Sequence, residues 1–214
     1  MTSTSDIPAA GRLLAHHELV TAFGHVSRRT PEGMLITPGK PLGSLSETDL
    51  VAVPADAETT GLPEGAPKEA WLHLAIYAVR PDVAAICRAQ PEWVAAADAT
   101  RDPILPLHGQ GSFCGAAVPV HTDSRLARDP ELGRRIAESL GDGTALVLRG
   151  NGALTVGPTV AAATALMWVL EYSARLNVRA RSAGTPVPLP TDEQDAWRTT
   201  QTELLTRLWQ HLSH

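Results

Sequence analysis

The sequence predicts an α/β fold in which a mainly antiparallel central sheet is flanked by helices on both faces. Short strands and helices are mixed without strict strand–helix–strand alternation, and few connections are long enough to join parallel neighbours. The segment Arg149-Gly150-Asn151-Gly152 lies between two apolar runs and predicts a tight hairpin, because Asn-Gly suits positive φ angles. A chain of 214 residues is long enough to bury one sizeable core.

Capping residues, proline and glycine mark most of the predicted boundaries. Asp6 as N-cap and Pro8 in the first turn begin a helix after a polar, disordered tail of residues 1–6. Pro158 begins a long alanine-rich helix, and Gly141 ends an amphipathic one. The predicted helices cover residues 7–22, 68–79, 91–99, 123–140, 159–181 and 192–212. The predicted strands cover residues 25–29, 34–37, 51–53, 83–87, 144–148 and 153–156.

Hydrophobic spacing supports these elements in order. Leu13, Leu14 and Val20 recur at helical spacing in the first helix, as do Trp71 and Ile76 in the second. The strands are short apolar runs bounded by Gly, Pro and polar turn residues. The stretch 103–120 mixes short apolar pieces with Gly, Pro and Ser, so no element is assigned there.

Composition excludes several classes of protein. The formal charge of −5 leaves no basic face for phosphates, so no nucleic-acid partner is expected. No apolar run reaches the roughly 18 residues of a membrane helix, and the start lacks a signal pattern, so no membrane partner is expected. The two cysteines, Cys87 and Cys114, are too few for a disulfide framework. These observations indicate a reduced, cytoplasmic compartment.

The residues alone do not specify a reaction. The eight histidines include no His-x-His or His-x-x-x-His pair, so a zinc site would require scattered residues to converge. No nucleophile elbow, dinucleotide fingerprint or phosphate loop is present. Glu69 follows a Gly/Pro-rich loop and lies at a predicted helix start. It is therefore either a carboxylate that favours the helix dipole or a functional acid/base.

Four stretches together resemble the class II aldolase/adducin family. They are Phe23-Gly24-His25-Val26-Ser27, Leu35-Ile36-Thr37-Pro38, Glu69 through Arg80-Pro81-Asp82-Val83, and residues 146–157. Each motif is weak, but their order and spacing over residues 10–182 are specific. The resemblance implies a nine-stranded, mainly antiparallel sheet and homotetramers with active sites between subunits. We expect a family domain over residues 7–182, then a linker and a C-terminal helix over residues 183–214.

The sequence departs from the family at its metal site. Family enzymes hold a divalent metal with a His-x-His pair and a hairpin His, and the corresponding residues here are Arg88, Gln90 and Asn151. Arginine stays protonated and cannot ligate a metal. The resemblance therefore implies a degenerate site with no metal and no cofactor. The position of the family's tyrosine proton donor, which a neighbouring subunit supplies, carries Gly109, next to His108.

These departures lead to a set of candidate site residues. The expected catalytic residues are Glu69 as proton carrier, Arg88 as fixed cation, and His108. The expected substrate-binding residues are His25, Lys40, Lys68, Gln90 and Asn151. Lys40 and Lys68 are the only lysines of the chain, and both fall on the family's anion-binding rim. The alternative is that both are ordinary surface lysines.

Two functions remain open. The first is a metal-independent lyase or isomerase that uses enolate chemistry on a small anionic oxo or hydroxy compound, in specialised biosynthesis. The chemistry would be aldol cleavage, decarboxylation or dehydration. The second is a non-catalytic ligand-binding or interaction module like the adducin head. Arg88 would then be only a buried ion-pair partner of Glu69.

Overall fold

The computed structural model describes residues 6–213 and contains a seven-stranded sheet within them. The spatial strand order is β3-β2-β1-β4-β7-β6-β5. The strands are β1 (His25–Thr30), β2 (Gly33–Ile36), β3 (Val51–Pro54), β4 (Ala85–Ala89), β5 (Val120–His121), β6 (Ala145–Leu148) and β7 (Ala153–Gly157). Only β5 and β6 pair in parallel, which confirms the mainly antiparallel sheet. The nine strands implied by the resemblance are two more than these residues form.

Helices cover both faces of the sheet, as predicted. They are α1 (Asp6–His16), α2 (Ala57–Thr60), α3 (Ala70–Val79), α4 (Glu92–Thr100), α5 (Pro130–Leu140), α6 (Val160–Ala183), α7 (Thr191–Arg198) and α8 (Gln201–Leu212). Helices α3 and α5 pack together over one face. Helices α1, α4 and α8 pack around the long α6 over the other face. None of the helices in residues 6–213 is long and apolar enough to cross a bilayer.

Two predicted helices are corrected by local side-chain bonds. The amphipathic helix begins at Pro130 rather than residue 123, because Asp129 caps it by accepting a bond of 2.8 Å from the Leu132 amide. The single C-terminal helix is broken into α7 and α8. The hydroxyls of Thr199 and Thr200 bond back to carbonyls one turn earlier, at 2.7 Å each, and so compete with the helical pattern.

Other boundaries also differ from expectation. The first helix ends at His16, and Glu18 follows with a φ of 58°. Asp6 is the first residue of α1 rather than part of a tail, and residues 1–5 of the expected tail lie outside the described residues. Strand β5, with two residues, and helix α2, with four, are too short for periodicity to reveal them.

Strand alternation divides the interior into two cores. Along β4, Cys87 faces the α6 side, whereas Ile86 and Arg88 face α3. The α3 side of the sheet is therefore the face that carries the polar candidates.

The two cysteines, Cys87 and Cys114, are both free and buried, and burial raises the pKa of each thiol to about 12.

Arg29 fixes α3 on its face of the sheet. Its guanidinium donates to the Tyr77 carbonyl at 2.8 Å, the Arg80 carbonyl at 2.7 Å and the Val83 carbonyl at 2.9 Å. Tyr77 lies in the last turn of α3, where helical carbonyls lack partners, and Arg80 and Val83 lie in the segment that follows the helix. The contact holds the C-terminal end of α3, the helix that Glu69 precedes, against β1.

Candidate active site

The register of the sheet brings distant residues together beside the start of α3. His25 on β1 lies directly opposite Arg88 on β4. Glu69 immediately precedes α3, which packs over the same face. Gln90 follows the end of β4, and Asn151 lies in the turn between β6 and β7. The structure thus gathers five of the predicted site residues, which we call the Glu69 centre: His25, Glu69, Arg88, Gln90 and Asn151.

The hairpin that carries Asn151 is pressed against β4. Gly150 and Gly152 have φ angles of 64° and 79°, which confirms the tight turn predicted from Asn-Gly. A Cβ atom added at Gly152 would lie 2.1 Å from the Ala89 carbonyl oxygen, so only glycine allows this approach. The close contact sets Asn151 next to Arg88.

Three side chains surround the Glu69 carboxylate. Asn151 Nδ2 donates to Oε1 at 3.2 Å, and Arg88 Nη2 lies 3.6 Å from the same oxygen. His25 Nε2 lies 3.4 Å from Oε2. The Glu69 side chain is only 14% exposed. The arrangement places a carboxylate beside a fixed cation.

Arg88 is a buried cation with unused hydrogen-bond donors. Its side chain is 1% exposed, and Nη2 donates to the Asn151 Oδ1 atom, which also accepts from Gln90 Nε2 at 3.0 Å. Its Nε and Nη1 atoms are buried, and no protein group in residues 6–213 pairs with them. Burial lowers the pKa of Arg88, while Glu69 acts in the opposite direction. Buried donors without acceptors are costly, so an acceptor such as an anion or a water molecule is expected at this position.

Sequence reasoning missed three residues beneath this centre. Ser27 Oγ lies 2.8 Å from His73 Nδ1 and 2.8 Å from the Tyr77 hydroxyl. Burial, helped by the Arg88 charge, lowers the pKa of His73 to about 3. Burial, with His73 and then Arg88, also holds the pKa of His25 well below its usual value. A signal was available, because Glu69, His73 and Tyr77 are spaced four residues apart and share one helix face.

The space next to Glu69 is small. A cavity of about 10 Å³ is lined by Glu69, Asn151, His121, Asp123 and Arg125. This volume is close to that needed for one water molecule. A larger substrate would therefore require the segment around Asp123 and Arg125 to move, or entry from another side.

His108 lies outside the Glu69 centre within the single chain. Its Nε2 lies 2.9 Å from Ser173 Oγ, and its Nδ1 lies 3.2 Å from Gln110 Oε1. It lines a separate cavity of about 830 Å³ with Trp168 and Tyr172. Within residues 6–213, this cavity shares no lining residue with the one at Glu69. A role for His108 at a neighbouring subunit's site stays a prediction.

Gly109 is covered by the C-terminal region. A Cβ atom built at Gly109 would lie 2.1 Å from Trp197 Cε2, on α7. A tyrosine side chain at this position is incompatible with α7 as placed. The glycine next to His108 is therefore explained by the packing of Trp197.

The two lysines both lie at the surface. Lys40 Nζ donates to Asp49 Oδ1 at 2.8 Å, and its side chain is 62% exposed. This contact lowers the pKa of Asp49. Lys68 is exposed and, within the described chain, makes no ion pair. Neither lysine contacts Glu69 or Arg88 in this part of the chain, so their role in anion binding stays a prediction.

Comparison with known proteins identifies the family. The family model for the class II aldolase and adducin N-terminal domain matches residues 5–178. A 3,4-dihydroxyphthalate decarboxylase from Arthrobacter keyseri is 30% identical over 194 residues, which cover 83% of this chain and 78% of the relative. An L-fuculose phosphate aldolase from Haemophilus influenzae is 28% identical over 80% of this chain and 79% of its own length.

Solved structures agree with this match. The L-fuculose-1-phosphate aldolase from Thermus thermophilus superimposes with a TM-score of 0.76 and 30% identity, over 86% of this chain and 97% of that one. The enzyme of the same name from Glaciozyma antarctica gives a TM-score of 0.82 over 99% of this chain and 88% of that one. Its identity of 22% supports the shared fold alone. The chain belongs to the class II aldolase and adducin family.

Proposed function

We propose that the protein is a lyase- or isomerase-type enzyme that acts on a small anionic oxo or hydroxy compound through an enolate, without a divalent metal. The reaction would be an aldol cleavage, decarboxylation or dehydration. The observation that carries the proposal is the buried Arg88, which lies 3.6 Å from Glu69 and has two nitrogen atoms without protein acceptors. Relatives named as a decarboxylase and as an aldolase support lyase chemistry.

The donor set around Glu69 does not fit the divalent metal that the family implies. The groups facing the carboxylate are a guanidinium, a carboxamide and one imidazole. The guanidinium is the group that conflicts with a metal, because it stays protonated, has no lone pair to offer and would repel a divalent cation. Among residues 6–213, no group of three or more His, Cys, Asp or Glu side chains is arranged to hold a metal. No step is therefore assigned to a metal.

Each residue of the centre can then be given a role. Arg88 would bind a substrate carboxylate or stabilise an enolate oxygen through charge-assisted hydrogen bonds. Glu69 would accept a proton from the substrate carbon or return one to it. Asn151 positions both groups, because its Oδ1 accepts from Arg88 and its Nδ2 donates to Glu69. Gln90 donates to the same Oδ1 and fixes the orientation of that amide.

The proposed assembly is a cytoplasmic homotetramer with sites between subunits. Trp168 and Tyr172 support it, since their rings stack with centroids 5.5 Å apart and are only half-buried in the single chain. Met167, which has a similar apolar character, is fully buried and contributes nothing to such a surface. In a tetramer, His108 of one subunit would be available to the Glu69 centre of another.

One observation favours the non-catalytic alternative. Glu69 already contacts Arg88, Asn151 and His25, and the adjoining cavity is only about 10 Å³. A buried ion pair of this kind needs no substrate. The protein would then keep the family fold as a binding or interaction module.

Turnover without metal tests the proposed function. Chelator-treated protein is incubated with hydroxy-acid phosphates, 2-oxo acids and hydroxylated aromatic carboxylates, and products are followed by NMR. We expect turnover that Glu69→Gln abolishes and that Arg88→Ala and Arg88→Lys each reduce on the order of 10²–10³-fold. Lysine keeps the positive charge but lacks the planar guanidinium that binds a carboxylate with two hydrogen bonds, so it should not restore turnover. Turnover that requires added metal, or an unimpaired Arg88→Lys variant, would contradict the proposal.

A further inference from the structure

A buried hydrogen-bonded chain runs from Tyr77 towards the Glu69 centre. The Tyr77 hydroxyl lies 2.8 Å from Ser27 Oγ, which lies 2.8 Å from His73 Nδ1. At the other end, His25 Nε2 lies 3.4 Å from the Glu69 carboxylate. Ser27 and His73 are completely buried, and Tyr77 and His25 nearly so. One gap, between His73 and His25, separates the two ends.

The two ring nitrogens at this gap have no protein partner. His73 Nε2 and His25 Nδ1 are buried, and no described group bonds to either. Their ring centroids are 6.1 Å apart and their planes are inclined at 84°. Ring nitrogens lie about 1.1 Å from the centroid, so these two nitrogens are at least about 4 Å apart, too far for a direct hydrogen bond. The same geometry limits their separation to at most about 8 Å, and two bonds through one shared water molecule span the shorter part of this range.

The directions of the hydrogen bonds fit such a water. The Tyr77 hydroxyl can donate to Ser27 Oγ. The Ser27 hydroxyl can then donate to His73 Nδ1, so His73 carries its hydrogen on Nε2. His25 donates from Nε2 to Glu69, so its Nδ1 is an acceptor. The gap therefore has a donor on one side and an acceptor on the other.

One of the two unpaired Arg88 nitrogen atoms could donate to this water, which leaves the other for an anion. Arg88 lies opposite His25 on the neighbouring strand, and its Nε and Nη1 atoms are buried with no described protein acceptor. The Arg88 charge also lowers the pKa of both His25 and His73. Buried waters make about three hydrogen bonds to polar groups that would otherwise be unsatisfied.

We propose that one ordered water molecule joins His73 Nε2 to His25 Nδ1, and that His73 is thereby a positioning residue of the Glu69 centre. Through this water, the chain from Tyr77 holds His25 in the neutral tautomer that donates to the Glu69 carboxylate. His73 does not touch the carboxylate itself. The water and the tautomer follow from the contacts alone, whereas the effect on turnover rests on the proposed function.

Histidine ¹⁵N NMR of the full-length protein tests the tautomer. At pH 7 we expect both His25 and His73 to be neutral and protonated on Nε2. Tyr77→Phe removes the first hydroxyl of the chain, so the His73 signals should shift and the Nε2–H fraction of His25 should fall. Thr164→Val is the matched control, because it removes a buried hydroxyl on α6, on the opposite face of the sheet. A His25 ring protonated on Nδ1, or equal responses in the two variants, would overturn the proposal.

A high-resolution crystal structure tests the water. We expect one water within 2.6–3.2 Å of both His73 Nε2 and His25 Nδ1. Continuous protein packing across this gap would overturn the proposal even if the enzyme is active. Once a substrate is found, His73→Gln should lower kcat on the order of 10–100-fold with little change in KM. Tyr77→Phe gives the same comparison if His73→Gln does not fold. If the water and tautomer are seen but no turnover exists, the proposed function fails and this inference stands.

Discussion

Acid should destabilise this protein through His73, and the size of the effect follows from its burial. Burial lowers the pKa of His73 in the folded chain to about 3, from about 6.5 for a free histidine. Between these two values the unfolded state binds a proton that the folded state does not, so stability falls as the pH falls. Above about pH 6.5, where His73 is neutral in both states, its burial costs no stability. At pH 4.5, about two units below that, His73 alone should cost about 3 kcal/mol, since each unit corresponds to about 1.4 kcal/mol.

Urea unfolding of wild type and His73→Gln at pH 7.5, 6 and 4.5 measures this effect. The variant lacks the titrating ring, so its stability should fall less steeply between pH 6 and 4.5. His25 remains in both proteins and acts in the same direction, because its pKa is also lowered. The matched control is His16→Gln, at an exposed position, which should keep the wild-type slope. If His73→Gln and His16→Gln both show the wild-type pH dependence, burial of His73 does not cause the loss of stability in acid.

Four further predictions concern the centre and the assembly. Gly152→Ala should reduce anion affinity at Arg88 and lower the melting temperature. The added Cβ would lie 2.1 Å from the Ala89 carbonyl oxygen and would displace Asn151. An unchanged melting temperature would contradict this prediction. Glu69→Gln should lose turnover but retain anion binding, which calorimetry measures. Loss of anion binding in this variant would contradict the prediction. Elemental analysis of protein purified without chelator should give well under one transition-metal ion per chain, whereas a stoichiometric ion that survives dialysis would argue against the metal-free centre. Light scattering should give a tetramer, and a mass near the 22.7 kDa of one chain would refute it.

Local chemistry explains which parts of the fold could be predicted. The hairpin at residues 149–152 was predictable because Gly150 and Gly152 supply the positive φ angles of a tight turn between two apolar runs. The start of α5 was missed because the cap at Asp129 lies inside a longer stretch of helical periodicity. The break between α7 and α8 depends on hydroxyls that bond to their own backbone, which periodicity does not register.

The site was predictable only where a motif or a helix face carried it. The family resemblance aligned Glu69, Arg88 and Asn151, and the structure brings these three together. The pairing of His25 with Arg88 depends on strand register, which is set by packing across the whole sheet. The position of His108 depends on a contact with Ser173 on α6, 65 residues away in the sequence, so no local pattern could locate it.

The central claim is that Arg88 is a binding group for anions rather than only a partner for Glu69. Calorimetric titration of metal-free protein with oxalate, a planar analogue of an enolate bearing a carboxylate, tests it most directly. We expect saturable binding to wild type, which Arg88→Lys weakens at least tenfold. Arg134→Lys, which changes an exposed ion-paired arginine on α5, should bind as wild type does. Oxalate binding that is equal in all three proteins, or absent from wild type, would contradict the claim.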